Sequence, residues 1–130
     1  MELSRAHLRY LLTIGQLARE GPSVSSVQVA RALRVSRPSV ARMLDVLAEK
    51  ELVTREHYGK IQLTETGAAL ARELAAGLRD LERRLPALEL DLSPEETAAA
   101  AGALAAALPE RCFRRLCTAG PGEAVGSAEP

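Results

Sequence analysis

Residues Val24–Leu47 read V-S-S-V-Q-V-A-R-A-L-R-V-S-R-P-S-V-A-R-M-L-D-V-L, and this stretch decides the architecture. Ser25 or Ser26 caps a short helix whose apolar face is Val29, Ala30 and Leu33. Arg34-Val35-Ser36 makes a turn, and Ser36 caps a second helix. Arg37 lies in its first turn, and Pro38 is tolerated there because an N–H at that point has no helical partner to lose. Val40, Met43, Leu44 and Leu47 recur at i, i+3, i+4 and i+7, the period of a buried helical stripe, and Lys50-Glu51 ends the helix.

Upstream, Ser4 is the N-cap of a helix running to about Ala18, with Leu8, Leu11, Leu12 and Leu17 facing the core and Gly21-Pro22 as its stop. His7, near its start, has no obvious partner. Downstream, Leu52–Arg55 is β-prone, Tyr58-Gly59-Lys60 supplies a turn, and Ile61–Thr64 alternates apolar and polar, which predicts a two-stranded hairpin. Thr64 caps a long helix with leucines at 70, 74, 78, 81, 85 and 88, a coiled-coil-like seam that Pro86 perturbs or ends. Ser93-Pro94-Glu95-Glu96 is a capping box opening a helix to about Leu108, and Pro109 separates a last short helix through Cys117. Residues 118–130 have no periodicity and are expected to be disordered.

The order of elements predicts a mainly α fold: a winged helix-turn-helix with a two-stranded β-wing, followed by a C-terminal helical dimerisation region. The expected divisions are 1–66 for the winged domain, 67–117 for the helical region and 118–130 for the tail. Composition agrees. Hydrophobic residues make up 47% of the 130, aromatics only 2%, so the core is built from Leu, Val and Ala in helix-on-helix packing. The net charge is zero, but residues 1–66 carry ten basic and seven acidic side chains and residues 67–130 carry seven and ten. The basic half holds the helix-turn-helix pattern.

The N-terminus lacks the basic-then-apolar pattern of a secretory signal. The longest uncharged helical run, Thr97–Leu108, is far short of the ~20 apolar residues of a membrane span. A cytoplasmic protein without membrane association is expected. Two cysteines in such a chain are not a disulfide framework. No nucleophile–base pair, Gly-rich phosphate loop or apolar pair of acids is present, so enzymatic activity is not expected.

A helix-turn-helix presents its second helix to the major groove of double-stranded DNA. Arg31, Arg34, Arg37 and Arg42 crowd a window with no acid, which makes a compact phosphate-binding surface. Ser36, Arg37, Pro38, Ser39 and Arg42 fall at the leading end of the second helix, where hydroxyls bond phosphates or bases and arginine bonds guanine in a bidentate way. Ser26 at the start of the preceding helix joins this set. The hairpin is expected to place Arg55, His57, Tyr58 and Lys60 at its tip, against an adjacent groove or phosphates. The alternative is an ordinary solvated charged face; the cap-turn-cap pattern, the acid-free window, the following hairpin and the apolar face opposite the arginines together favour DNA. The leucine seam is read partly as intramolecular core and partly as a homodimer interface formed by Leu74, Leu78, Leu81, Leu85 and Leu88.

V-S-R-P-S-V with its M-L and L, and Y-G-K-I-x-L-T-x-x-G after it, resemble the DNA-binding domain of the diphtheria-toxin-repressor-like iron- and manganese-dependent regulators. The resemblance covers residues 4 to about 85 well and 86–117 weakly. It implies a winged-helix homodimer on palindromic promoter DNA, with Ser36, Pro38, Ser39 and Arg42 at DNA-contacting positions. It also implies a divalent-metal site, and there the chain departs from the family. The first-helix Asp and Glu ligands align with Arg9 and Leu12, the ligand His after the wing with Leu78, and the later Cys and Glu-His with Gly102 and Ala105-Ala106. Divalent ions need carboxylate, imidazole or thiolate donors, so no cofactor is expected although the family implies a transition metal.

Cys112 and Cys117 at i, i+5 do not share a helical face well and are read as small residues of a terminal helix; a redox pair activated by Arg114 and Arg115 is the other reading. The segments L-T-E-T-G and L-S-P-E-E also resemble multiple-antibiotic-resistance-type winged regulators, which respond to small ligands or oxidants. The leading expectation is a sequence-specific homodimeric repressor related to the metal-dependent regulators. The alternatives are a ligand- or thiol-responsive winged regulator, or a protein-interaction module that no longer binds DNA.

Overall fold

The computed structural model describes residues 3–21, 23–56 and 59–116. Expectations for Pro22, His57, Tyr58, Cys117 and the tail 118–130 lie outside the described residues. The elements are α1 (Arg5–Glu20), β1 (Val24–Ser25), α2 (Ser26–Leu33), α3 (Arg37–Glu49), β2 (Val53–Arg55), β3 (Lys60–Leu63), α4 (Glu65–Arg84), a 3-10 turn (Leu85–Leu88) and α5 (Pro94–Ala107). A further helical stretch at 110–116, α6, follows Pro109. Two compact units divide within α4, at Arg72 and Glu73.

In the first unit, α1, α2 and α3 enclose an aliphatic core. Leu11, Ile14, Val29, Val40, Leu44 and Leu47 are fully buried, together with Leu52 and Val53 at the start of the hairpin. Each side chain of this size removed from water contributes on the order of 2 kcal/mol, which is how a core nearly free of aromatics is held. The period-3.6 stripe on α3 is confirmed at Val40, Leu44 and Leu47; Met43 is half-buried at its margin. On α1, Leu12 and Leu17 are also half-buried, and Tyr10 and Ile14 take the buried positions instead.

Among the described residues the sheet has three strands, not two. β1 pairs with β3 (Val24 with Ile61, Ser25 with Lys60), and β2 pairs with β3 on its other side, giving the antiparallel order β1-β3-β2. A two-residue strand shows no alternation, so β1 exists only because the edge of β3 supplies its partner. It anchors the entry to α2 against the hairpin.

The L-T-E-T-G segment joins hairpin to helix. Thr64 Oγ1 donates to the Glu51 carbonyl at 2.7 Å and accepts from the Gly67 N–H at 3.1 Å, so one hydroxyl ties the α3–β2 turn to the start of α4. Gly67 has no room for a side chain, because a Cβ there would collide with the Leu52 carbonyl oxygen. Thr at the cap and Gly three residues on are thus one device that brings α4 onto the Leu52 backbone.

In the second unit, Ser93 and Glu96 form the expected capping box at the start of α5. Ala101 and Ala105 are buried on α5, and Phe113 on α6. Gly77 lets the backbone at Leu116 approach α4; a Cβ would lie 2.5 Å from the Leu116 carbonyl oxygen. The leucine seam is not one continuous stripe. Leu74 is buried, Leu78 and Leu81 are half-buried, and Leu85 and Leu88 belong to the 3-10 turn that Pro86 imposes, with Leu88 exposed.

His7 has a partner after all. Its Nδ1 accepts from the Ser4 N–H at 3.0 Å while Ser4 Oγ accepts from the His7 N–H at 3.2 Å. This is a capping box with imidazole in the place usually held by Glu or Gln. Only neutral imidazole accepts this bond. Burial, with the Lys50 charge adding to it, holds the His7 imidazole below the ordinary histidine value. A lowered folded-state pKa means the stabilisation is complete above about pH 6.5 and is lost as pH falls through the folded value. Melting temperature is therefore expected to decline from neutral pH toward pH ~5, and His7→Gln, which keeps the acceptor, is expected to flatten that decline. An equal decline in the variant would contradict the assignment. Gly67→Ala is expected to lower stability by about 1–3 kcal/mol in denaturant titration, since the carbonyl it meets is backbone and cannot rotate away. A neutral outcome would show that α4 does not approach Leu52 so closely.

Candidate nucleic-acid interface

The turn between α2 and α3 is set by two residues. Arg34 takes the left-handed conformation (φ 58°, ψ 47°), and its N–H donates to the Ala30 carbonyl to close α2. Ser36 returns to extended backbone. Its Oγ accepts from the Ser39 N–H at 3.2 Å, and its carbonyl accepts from the Val40 N–H at 3.1 Å. Between them the chain reverses in three residues, and Pro38 continues the first turn of α3.

This turn brings the expected arginines to the outside. Arg31, Arg34, Arg37 and Arg42 are all exposed, as are Ser36 and Pro38. Ser39 is half-buried, and so is Ser26, the first residue of α2. No Asp or Glu occurs from Gly21 to Leu44, so the surface around the leading end of α3 is free of acid over a longer stretch than the arginine window itself.

The two serines have different tasks. Ser36 Oγ, besides capping α3, donates to Ser39 Oγ at 2.8 Å, and Arg42 Nη2 donates to the same Ser39 oxygen at 3.4 Å. A hydroxyl has two lone pairs and one proton. Ser39 accepts twice, from Ser36 and from Arg42, whereas Ser36 caps α3 with the same oxygen that donates to Ser39. Arg42 is thereby held along α3 toward its N-terminus. Its charge also reaches buried Tyr10 on α1, whose phenol burial pushes up against the opposing pull of Arg9 and Arg42.

On the hairpin, Gly59 (φ 79°) supplies the left-handed turn residue, and its N–H donates to the Glu56 carbonyl at 3.2 Å. Lys60 is exposed at the start of β3. Arg55 is not at the tip. It is the last residue of β2, and its Nη1 donates to Asp45 Oδ1 on α3 at 2.9 Å. Strand β2 runs back beside α3, so the guanidinium meets the helix instead of extending beyond the hairpin. The exposed pair contributes at most about 1 kcal/mol to stability. The pair leaves no local signal in the sequence, because the partners are ten residues apart on different elements.

The positions aligned with family metal ligands do not form a donor set. Arg9, Gly102 and Ala106 are exposed, Leu12 and Leu78 half-buried, and Ala105 buried. None bears a carboxylate, imidazole or thiolate, so these positions do not fit a divalent cation. Among the described residues, no three His, Cys, Asp or Glu side chains converge on another such centre. Cys112 is half-buried on α6, and Arg114 beside it is paired with Glu110 at 3.8 Å.

Comparison with known proteins places this geometry. The model of the MarR family matches residues 3–59. Among solved structures, the chain is similar to IdeR of T. acidophilum with a TM-score of 0.70 and 21% identity, over 89% of this chain and 53% of that one. The manganese regulator SloR gives a TM-score of 0.63 and 26% identity, over 88% and 53%. The manganese-activated repressor ScaR in its apo form gives 0.63 and 25%, over 83% and 51%. The chain has the winged-helix fold of these solved regulators. The chain spans about half the length of these solved structures.

The division of labour between the serines is testable. Ser36→Ala is expected to lower stability by about 1 kcal/mol through loss of the α3 cap, whereas Ser39→Ala leaves the denaturation midpoint near that of the parent. Equal midpoints for both variants would contradict the turn geometry.

Proposed function

We propose that this chain is a sequence-specific transcriptional regulator that binds double-stranded DNA as a homodimeric repressor and does so without a divalent metal. The carrying observation is the exposed, acid-free surface of Arg31, Arg34, Arg37 and Arg42 around the leading end of α3. In this reading α3 enters the major groove, Arg37, Ser39 and Arg42 meet bases or phosphates, and Lys60 contacts the flanking backbone. Arg31, Arg34 and the α2 start at Ser26 brace the phosphates. Ser36 and Pro38 shape the turn that presents them.

Two-fold DNA recognition calls for a second copy. Exposed Leu88, Leu90 and Leu104 and the alanine-rich surface of α5 in the second unit support that association, with the half-buried Leu78, Leu81 and Leu85 as its nearest leucines. The aligned ligand positions, which bear no carboxylate, imidazole or thiolate, support metal independence. No enzymatic activity is proposed, and a DNA partner supports a cytoplasmic location. A second reading adds a small-molecule trigger. It is favoured by an open cavity of about 530 Å³ in the second unit, lined by Ala76, Arg79, Glu82, Arg83 and Thr97, a size that suits an organic ligand.

Selection of bound genomic fragments followed by mobility-shift titration tests the reading. Affinity is expected to fall steeply with salt as arginine contacts displace counterions. Arg37→Ala or Arg42→Ala is expected to cost about 1–3 kcal/mol where a base is contacted. Unchanged affinity in both variants would put α3 outside the groove. Binding is expected to be the same in chelator as with Mn²⁺, Fe²⁺ or Zn²⁺, and calorimetry is expected to show no tight stoichiometric metal uptake. Metal-dependent DNA binding would overturn the loss of the sensor site.

A further inference from the structure

Asp45 ends the acid-free surface. It lies on α3 three residues beyond Arg42, its side chain is 72% exposed, and it follows directly on the surface assigned to DNA. An unneutralised carboxylate there repels phosphate. Arg42 does not neutralise it, because its guanidinium is turned back onto Ser39. Arg55 does, reaching from the end of β2 to Asp45 Oδ1 at 2.9 Å. This uses one of the five N–H donors of a planar guanidinium. The Arg55 side chain remains 38% exposed, and four donors of the fork are not used by this bond. Arg55 also stands opposite Ile61, next to exposed Lys60, so the bond fastens the loop end of the hairpin to α3.

We propose that Asp45 is a positioning residue for DNA binding: it holds the Arg55 guanidinium at the seam between α3 and the hairpin, where the free N–H donors meet a backbone phosphate. The proposal rests on the DNA-binding reading above. It makes a prediction opposite in sign to bulk electrostatics. Removing an acid from a DNA-binding surface ordinarily tightens binding, whereas removing this one releases the arginine it orients.

The test is a double-mutant cycle with the full chain and a mixed-sequence B-form duplex of about 40 base pairs, titrated across salt. Asp45→Asn is expected to weaken binding about threefold or more and to lower the salt slope by about one, as loss of a phosphate contact does. Asp45→Glu, which keeps the carboxylate, recovers most of the affinity. In an Arg55→Ala background the sign reverses, and Asp45→Asn no longer weakens binding. Melting temperatures stay near that of the parent, because both side chains are exposed.

Equal or tighter binding by Asp45→Asn in the parent chain would overturn the proposal. So would the same weakening with and without Arg55, an Asp45→Glu variant as weak as Asp45→Asn, or a loss of affinity that tracks unfolding. Failure of the parent chain to bind any duplex would instead remove the DNA-binding reading, and this proposal with it.

Discussion

The three-residue reversal at Arg34–Ser36 is the constraint on which the rest depends. Left-handed backbone costs a non-glycine residue on the order of 1 kcal/mol, yet Arg34 adopts it because α2 must end there with its N–H on the Ala30 carbonyl. Ser36 then restarts the helix through its own hydroxyl. Between these fixed points α2 and α3 have one relative course. That course buries Val29, Val40 and Leu44 on one side and leaves the arginines on the other. Hydrophobic burial supplies the stability; the turn decides which face is presented.

The hairpin reinforces this arrangement from the far end of α3. Thr64 bonds both the Glu51 carbonyl and the Gly67 N–H, and Gly67 lets α4 rest on the Leu52 backbone. β1 holds the entry to α2 to the same sheet. Both ends of the helix-turn-helix are therefore tied to β3 or its neighbours, so the arginine surface stands on a braced scaffold. The Asp45–Arg55 bond adds a polar tie across the outside of that scaffold.

Local chemistry made much of this readable in advance. Ser4, Ser25, Ser36, Thr64 and Ser93 all cap the helices their positions indicate, because an N-cap needs only its own side chain and the next turn. What depended on partners distant in sequence was not readable. β1 is too short to show a period, Arg55 meets an acid on another element, and His7 fills a capping role that its residue type seldom takes. The leucine seam misled in another way: Pro86 redirects the chain, so a regular spacing of leucines crosses from an α-helix into a 3-10 turn. The exposed arginine face followed from composition and caps together, while the unequal duties of Ser36 and Ser39 required the hydrogen bonds themselves.

The relation to metal-dependent regulators is thus uneven along the chain. The winged scaffold is shared with these solved regulators, and the positions that the resemblance pairs with metal ligands carry arginine, leucine, glycine and alanine. The central claim is that the α2–α3 turn and the start of α3 form the surface that meets DNA. Backbone amide shift mapping during titration with a selected duplex tests it most directly. The account predicts perturbations concentrated at residues 31–42 and at Gly59–Lys60, with α5 unaffected. Perturbations confined to α5 and α6, or none at saturating duplex, would contradict it.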